Sequence, residues 1–161
     1  MHAIRESDNS RGRAAKFSNK HDVRKIAAII EQYRRGFATL DAEVLKAIWD
    51  RGHDNLVYIA LEAAEPVRGW TEIERYYENA TDLLGEVRAM TISDLSIEVF
   101  DHVAYAYCTF RFEGALEGRS HIARGRNTFV LIRKEGEWKV IHYHESQLPG
   151  SAQASESGTF W

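Results

Sequence analysis

Four side chains in this 161-residue chain have the types needed to move protons and hold an organic ligand: Tyr33, Arg126, His142 and His144. A phenol donates a hydrogen bond to an oxygen gaining charge, and an imidazole gives or takes a proton near neutral pH. A guanidinium grips a carboxylate through two parallel bonds. Strand alternation decides which of them meet. Along the strand-like run Trp138 to Ser146, the residues Trp138, Val140, His142, His144 and Ser146 share one face, while Lys139, Ile141, Tyr143 and Glu145 share the other. Arg124, Arg126, Thr128, Val130 and Ile132 share a face of the preceding run. Tyr33 equally suits a core tyrosine with a satisfied hydroxyl, Arg126 equally suits an ion pair with Glu113, and the two histidines suit structural hydrogen bonding. Two histidines two positions apart are also too few ligands for a metal, and none is expected. The chain has no Gly-rich phosphate loop, nucleophile elbow or cysteine–histidine pairing, so no cofactor is expected either.

The elements that position these groups follow from periodicity and turn signals. Ile26, Ile30, Tyr33, Phe37 and Leu40 recur every three or four residues and predict an amphipathic helix over Val23 to Leu40. Asp41 is a good N-cap for a shorter helix through Trp49, and an apolar run from Leu56 to Leu61 predicts a strand. Thr71 with Glu74 forms a capping-box pattern opening a third helix, which Gly85 should close as a left-handed C-cap residue. After Gly85 the chain reads as sheet: Thr91 to Val99, Val103 to Glu113, Arg124 to Arg133 and Trp138 to Ser146. The last two are joined by a tight hairpin at Lys134-Glu135-Gly136-Glu137. Helices first and an antiparallel meander last predict an α+β fold. The polar residues 1–18 are expected to be a flexible arm, 19–148 a single domain, and 149–161 a flexible tail whose Phe160 and Trp161 stand out.

Composition bounds the function. A formal net charge of -3 argues against nucleic acid as a partner, and no apolar stretch approaches membrane-spanning length. A single cysteine, Cys108, allows no internal disulfide, so a cytoplasmic location is expected.

The segment RNTFVLIRKEGEWKVIHYHES resembles the last hairpin of SnoaL-like proteins and of the association domain of calcium/calmodulin-dependent kinase. EQYRRGFATLDAEVLKAIW, followed by VRGWTEIERYY, is similar to the helices of ketosteroid isomerase. Together these cover roughly Asp22 to Ser146. The resemblance implies the nuclear-transport-factor-2-like fold: three N-terminal helices packed on a strongly curved antiparallel sheet, enclosing a pocket. It also implies a homodimer through the outer sheet face, where Ile141 and Tyr143 would lie. Tyr33 falls where ketosteroid isomerase has its oxygen-binding tyrosine. The base aspartate of that enzyme has no counterpart in Leu56-Val57-Tyr58-Ile59, and its second acid falls near Asn127 or Thr128. The kinase domain's pocket arginine falls near Phe129 and is likewise missing. By the resemblance the face of Trp138 is concave, which aims His142, His144 and Arg126 at the pocket.

The expected function is therefore that of a small-molecule pocket protein, an acid–base isomerase, cyclase or dehydratase acting on a carbonyl or carboxylate compound. Tyr33 and His144 are its catalytic candidates, and Arg126, His142, Trp70, Tyr58 and Asn127 its ligand-binding ones. The alternative is a non-catalytic binding or oligomerisation module like the kinase domain. Arg126 on the outer face, or Tyr33 sealed in a dry core with no cavity beside it, would overturn the enzyme-like reading and put that alternative in its place.

Overall fold

The computed structural model describes residues 7–149, with side chains from residue 19 onward. Helix α1 spans Ser7–Thr39, so most of the stretch expected to be an arm continues the first helix. Residues 1–6 and 150–161, including Phe160 and Trp161, lie outside the described residues. The predicted stripe is buried: Ile26, Ile30, Tyr33 and Phe37 are at most 9% exposed. Leu40, with φ 52°, ends the helix, and Asp41 starts α2 (Ala42–Lys46) by accepting hydrogen bonds from the amides of Glu43 and Val44. The two helices approach so closely that a Cβ on Gly36 would lie 2.6 Å from the Leu45 side chain.

Helix α3 spans Trp70–Leu83 and begins two residues earlier than the capping pattern implied. Gly69 takes the N-cap position without a side-chain bond, so Thr71 lies within the first turn and forms no capping box. Gly85 does not cap the helix either. The chain turns extended at Leu84 and runs straight into a strand.

Six strands form one sheet: β1 (Val57–Ile59), β2 (Val67–Arg68), β3 (Leu84–Phe100), β4 (Val103–Leu116), β5 (Arg119–Lys134) and β6 (Glu137–Gln147). Their order is β2-β1-β6-β5-β4-β3. All neighbours are antiparallel except β1 and β6, which run parallel. The architecture is α+β, a curved, unclosed sheet with helices on one face. The β5–β6 turn at Glu135-Gly136 has φ of 51° and 81°, matching the twist of the flanking strands. Register shifts in β3 between Val87 and Ala89 and between Ser93 and Ser96 help a long strand bend.

One further irregularity decides what faces the core. Leu131 pairs with Val140, but the preceding Val130 pairs with His142, so Ile141 is an extra residue in β6. This β-bulge lies where β6 changes neighbours. Val140 bonds to the backbone of Ile48 and Asp50, whereas His142 to His144 pair with β1. Before the bulge Trp138 and Val140 point inward; after it Tyr143 and Glu145 do. Strict alternation assigned the second set to the outer face. The bulge reverses that assignment, because one added residue exchanges the faces of everything downstream.

Candidate functional site

A cavity of about 450 Å³ opens between α1, α3 and the concave face of the sheet. Its walls are mostly apolar and aromatic: Phe37 from α1, Tyr58 from β1, Tyr76 from α3, and Met90, Phe110 and Phe112 from β3 and β4. The sequence produces this wall through period-two burial along β4, where Ala104, Ala106, Cys108, Phe110 and Phe112 all point inward. The ionisable side chains on the wall, aside from tyrosines, are Glu62, Glu117, His121 and Glu145. No lysine or arginine is among the described residues lining it.

Glu145 is the chemical centre of this wall. One carboxylate oxygen, Oε2, accepts the backbone N–H of Leu61 at 2.9 Å. The other, Oε1, accepts the Tyr143 hydroxyl at 2.5 Å and lies 3.3 Å from the Tyr33 hydroxyl. The two phenols are themselves 2.5 Å apart, and Asn127 Nδ2 donates to Tyr143 at 3.0 Å. These donors are all neutral. Burial disfavours the charged carboxylate, the hydrogen bonds from Tyr143 and Leu61 offset this only partly, and nearby Glu62 adds repulsion. The Glu145 pKa is consequently raised from 4.5 to about 7. Burial, followed by the Glu145 charge, also holds both Tyr33 and Tyr143 well above the usual phenol range, so both stay protonated donors.

Toward the mouth, Glu62 accepts the Tyr76 hydroxyl at 2.6 Å. His121 packs beside Phe112, with 6.2 Å between ring centres. Burial lowers the His121 pKa, against the attraction of Glu62. A neutral imidazole can both donate and accept in the cavity.

The residues singled out from sequence divide into two groups. Tyr33 and Tyr58 line the cavity. Arg126, His142 and His144 do not: they project from the outer face, where Arg126 bonds to Ser146 Oγ at 3.3 Å and to the Gln147 carbonyl at 3.4 Å. The bulge turned the histidines outward, whereas Arg126 lies outside by the plain alternation of β5, whose inward residues Asn127, Phe129 and Leu131 are in phase with the pairing of Leu131 to Val140. Burial, then the neighbouring His144, lowers the pKa of His142. Trp70 lies at the start of α3 beneath Arg51, whose guanidinium carbon is 4.8 Å from the ring centre. Asn127 is fully buried behind Tyr143 and does not reach the cavity. The expected dimer residue Tyr143 is 0% exposed, and Ile141 packs against the core. Among the described residues, no group of three or more histidine, cysteine or carboxylate side chains is placed to hold a metal ion.

Sequence reasoning missed Glu145 because it applied one alternation phase to the whole of β6. A signal was present: Val140 and Ile141 are adjacent apolar residues in an otherwise alternating strand, which marks a change of phase.

A sequence profile described as the SnoaL-like domain matches residues 26–150. No curated protein matches the sequence significantly. Solved structures share the fold. A Streptomyces avermitilis protein of the nuclear transport factor 2-like family, provisionally described as a dehydratase, is 18% identical with a TM-score of 0.70, covering 80% of this chain and 98% of its own. A ketosteroid isomerase-like protein from Erwinia carotovora is 18% identical with a TM-score of 0.64, over 77% and 94%. A Xanthomonas campestris protein, provisionally described as a calcium/calmodulin-dependent protein kinase II association domain, is 21% identical with a TM-score of 0.61, over 79% and 88%.

Proposed function

For a chain that belongs to the SnoaL-like domain family, we propose an acid–base pocket protein in which Glu145 exchanges a proton with a small carbonyl compound and Tyr33 donates to its oxygen. The observation that carries this reading is a carboxylate held on the wall of an apolar cavity by neutral donors alone, with its pKa near 7. Such a group is substantially ionised at neutral pH yet returns a proton readily, which suits a general base. Tyr33 is the phenol of the pair that lines the cavity, so its O–H can turn from Tyr143 toward a ligand. Proton transfer beside a carbonyl, the step shared by isomerases, cyclases and dehydratases, needs these two roles and no more.

The wall also narrows the ligand. Three glutamates and no cation would repel a carboxylate, so the carbonyl compound is neutral. The anion-holding role expected of Arg126 falls away with its outward position. By the sequence-based criterion that position overturns the enzyme-like reading built on Arg126 and the histidines; the present reading rests instead on Glu145, a carboxylate that criterion did not consider.

The test is hydrogen–deuterium exchange at the carbon next to the carbonyl in neutral cyclic ketones, followed by NMR in heavy water. Wild-type protein should accelerate exchange with a rate that rises through a midpoint near pH 7. Glu145→Gln should lose on the order of 100-fold or more. Equal exchange in Glu145→Gln and wild type would refute the assignment.

The outer face supports self-association as a second property. Tyr105 is 41% exposed there, beside Tyr107 and Val130 and near the two histidines. We assign the homodimer interface to this face in place of Tyr143. Light scattering should show a dimer that Tyr105→Glu weakens. The fully buried, unpaired thiol of Cys108 suits a reducing compartment such as the cytoplasm.

A further inference from the structure

Behind the cavity wall a chain of hydrogen bonds crosses three strands at one level of the sheet. Cys108 in β4 is the register partner of Asn127 in β5, which is the partner of Glu145 in β6. Cys108 Sγ lies 2.9 Å from Asn127 Oδ1, and Asn127 Nδ2 lies 3.0 Å from the Tyr143 hydroxyl. Cys108, Asn127 and Tyr143 are all 0% exposed, and none lines the cavity. Burying these polar groups costs stability unless their hydrogen bonds are met, and here each is met by the next side chain along the row.

From these contacts we infer that Asn127, locked by the Cys108 thiol, is a positioning residue that keeps the Tyr143 proton aimed at Glu145. This rests on the acid–base reading of Glu145. The argument is one of donors and acceptors. The Asn127 amide has two orientations related by a flip. In one, its oxygen takes the thiol proton and its NH2 donates to Tyr143. In the other, the NH2 faces a sulfur, a poor acceptor, and the amide oxygen faces Tyr143. The second orientation would offer the Tyr143 O–H a competing acceptor and draw it away from Glu145. Burial raises the Cys108 pKa to about 12, so the thiol keeps its proton and selects the first orientation. With Asn127 only donating to the Tyr143 oxygen, the Tyr143 proton has the Tyr33 oxygen and the Glu145 carboxylate as its remaining acceptors, and the carboxylate is the stronger of the two.

The test reads the titration of the Glu145 side-chain carboxyl by carbon-13 NMR in the full chain. Wild-type Glu145 should titrate near pH 7. Asn127→Leu removes the donor to Tyr143, weakens the bond Tyr143 gives to the carboxylate, and should raise the midpoint by roughly half a unit or more. Cys108→Ala frees the amide to flip and should shift the midpoint the same way, while Cys108→Ser restores a donor and the wild-type midpoint. A residue with a merely structural role would lower the melting temperature and leave the midpoint in place. If Asn127→Leu does not fold, the Cys108→Ala and Cys108→Ser pair decides alone. A wild-type midpoint near 7 that neither Asn127→Leu nor Cys108→Ala moves overturns the inference and leaves the acid–base reading standing. A wild-type midpoint near 4.5 overturns both.

Discussion

Two carboxylates, Asp22 buried and Glu145 half-buried on the cavity wall, sit at opposite ends of the same sheet and are treated in opposite ways. Asp22 of α1 is 6% exposed and fully compensated: Trp138 Nε1 donates to Oδ1 at 2.9 Å and Arg133 to Oδ2 at 2.8 Å. Its cation also faces the Trp138 ring, 5.4 Å from the ring centre. Glu145 has an amide and two phenols and no cation. A carboxylate matched to a guanidinium holds elements together; Glu145, desolvated and matched only to neutral dipoles, sits near the balance point between its two protonation states. The first fastens the start of the domain to the last hairpin, whereas the second faces the cavity. What separates structure from chemistry here is the partner, since the acid itself is alike in both places.

The largest expected effect breaks the compensated pair. Asp22→Ala leaves the Trp138 N–H buried without a partner and Arg133 with the Trp138 ring and a 3.7 Å contact to the exposed carboxylate of Asp101. Loss of one partner of a buried pair typically costs on the order of 3 kcal/mol or more, so urea unfolding should show a drop of about that size. Arg133→Leu should cost less, because Arg133 keeps 29% of its side chain exposed and Asp22 retains Trp138.

Glu145 should show the reverse behaviour, and pH reveals it. Its folded-state pKa of about 7 exceeds the ordinary 4.5, so between those values the folded protein binds more protons than the unfolded chain. The Glu145 contribution to stability is therefore fully present below about pH 4.5 and is lost as pH rises through about 7. The shift corresponds to at most about 3 kcal/mol. Denaturation at pH 4, 6 and 8 should show wild type falling relative to Glu145→Gln by up to that amount. The slope is the readout, since the uncharged amide of the variant alters the local bonds at every pH alike. Parallel pH curves for the two proteins would remove the raised pKa.

The contrast also measures what the sequence discloses. The α1 stripe, the Asp41 cap, the Gly136 hairpin and the long strands were readable, because each depends on local periodicity or a turn-forming residue. Periodicity put Tyr33 on the buried stripe, and only the resemblance to ketosteroid isomerase pointed it at a pocket. The site's carboxylate was not readable, because the bulge at Ile141 is a tertiary event: β6 exchanges Ile48 and Asp50 for β1 as neighbours at that point. A single unrecognised residue moved His142 and His144 out and Tyr143 and Glu145 in, while Arg126 was misplaced by the assumed register of β5 against Trp138. Asp22 lies four residues before Ile26, on the continuation of the stripe, but just outside the predicted helix, and its type gave no sign of burial. Its partners lie 111 and 116 residues away in the chain.

The smallest expected effect sharpens the comparison from a third side, with a polar group that has neither kind of partner. Tyr58 is 0% exposed, lines the cavity, and its hydroxyl makes no hydrogen bond among the described residues. Burial first, and the nearby Tyr76 phenol second, hold its pKa well above the usual phenol range. Tyr58 is held by its ring instead, stacked on Tyr143 at 4.6 Å between centres with 18° between planes. Tyr58→Phe keeps that stacking and removes an unsatisfied group, so it should leave stability unchanged or raise it by up to about 1 kcal/mol. Tyr143→Phe, with the same atom removed from a ring in the same stack, should lower stability, because it strips a donor from Glu145 and an acceptor from Asn127. Thermal denaturation of the two variants in parallel decides the matter. A drop in Tyr58→Phe as large as that in Tyr143→Phe would mean the Tyr58 hydroxyl has a bonding partner after all.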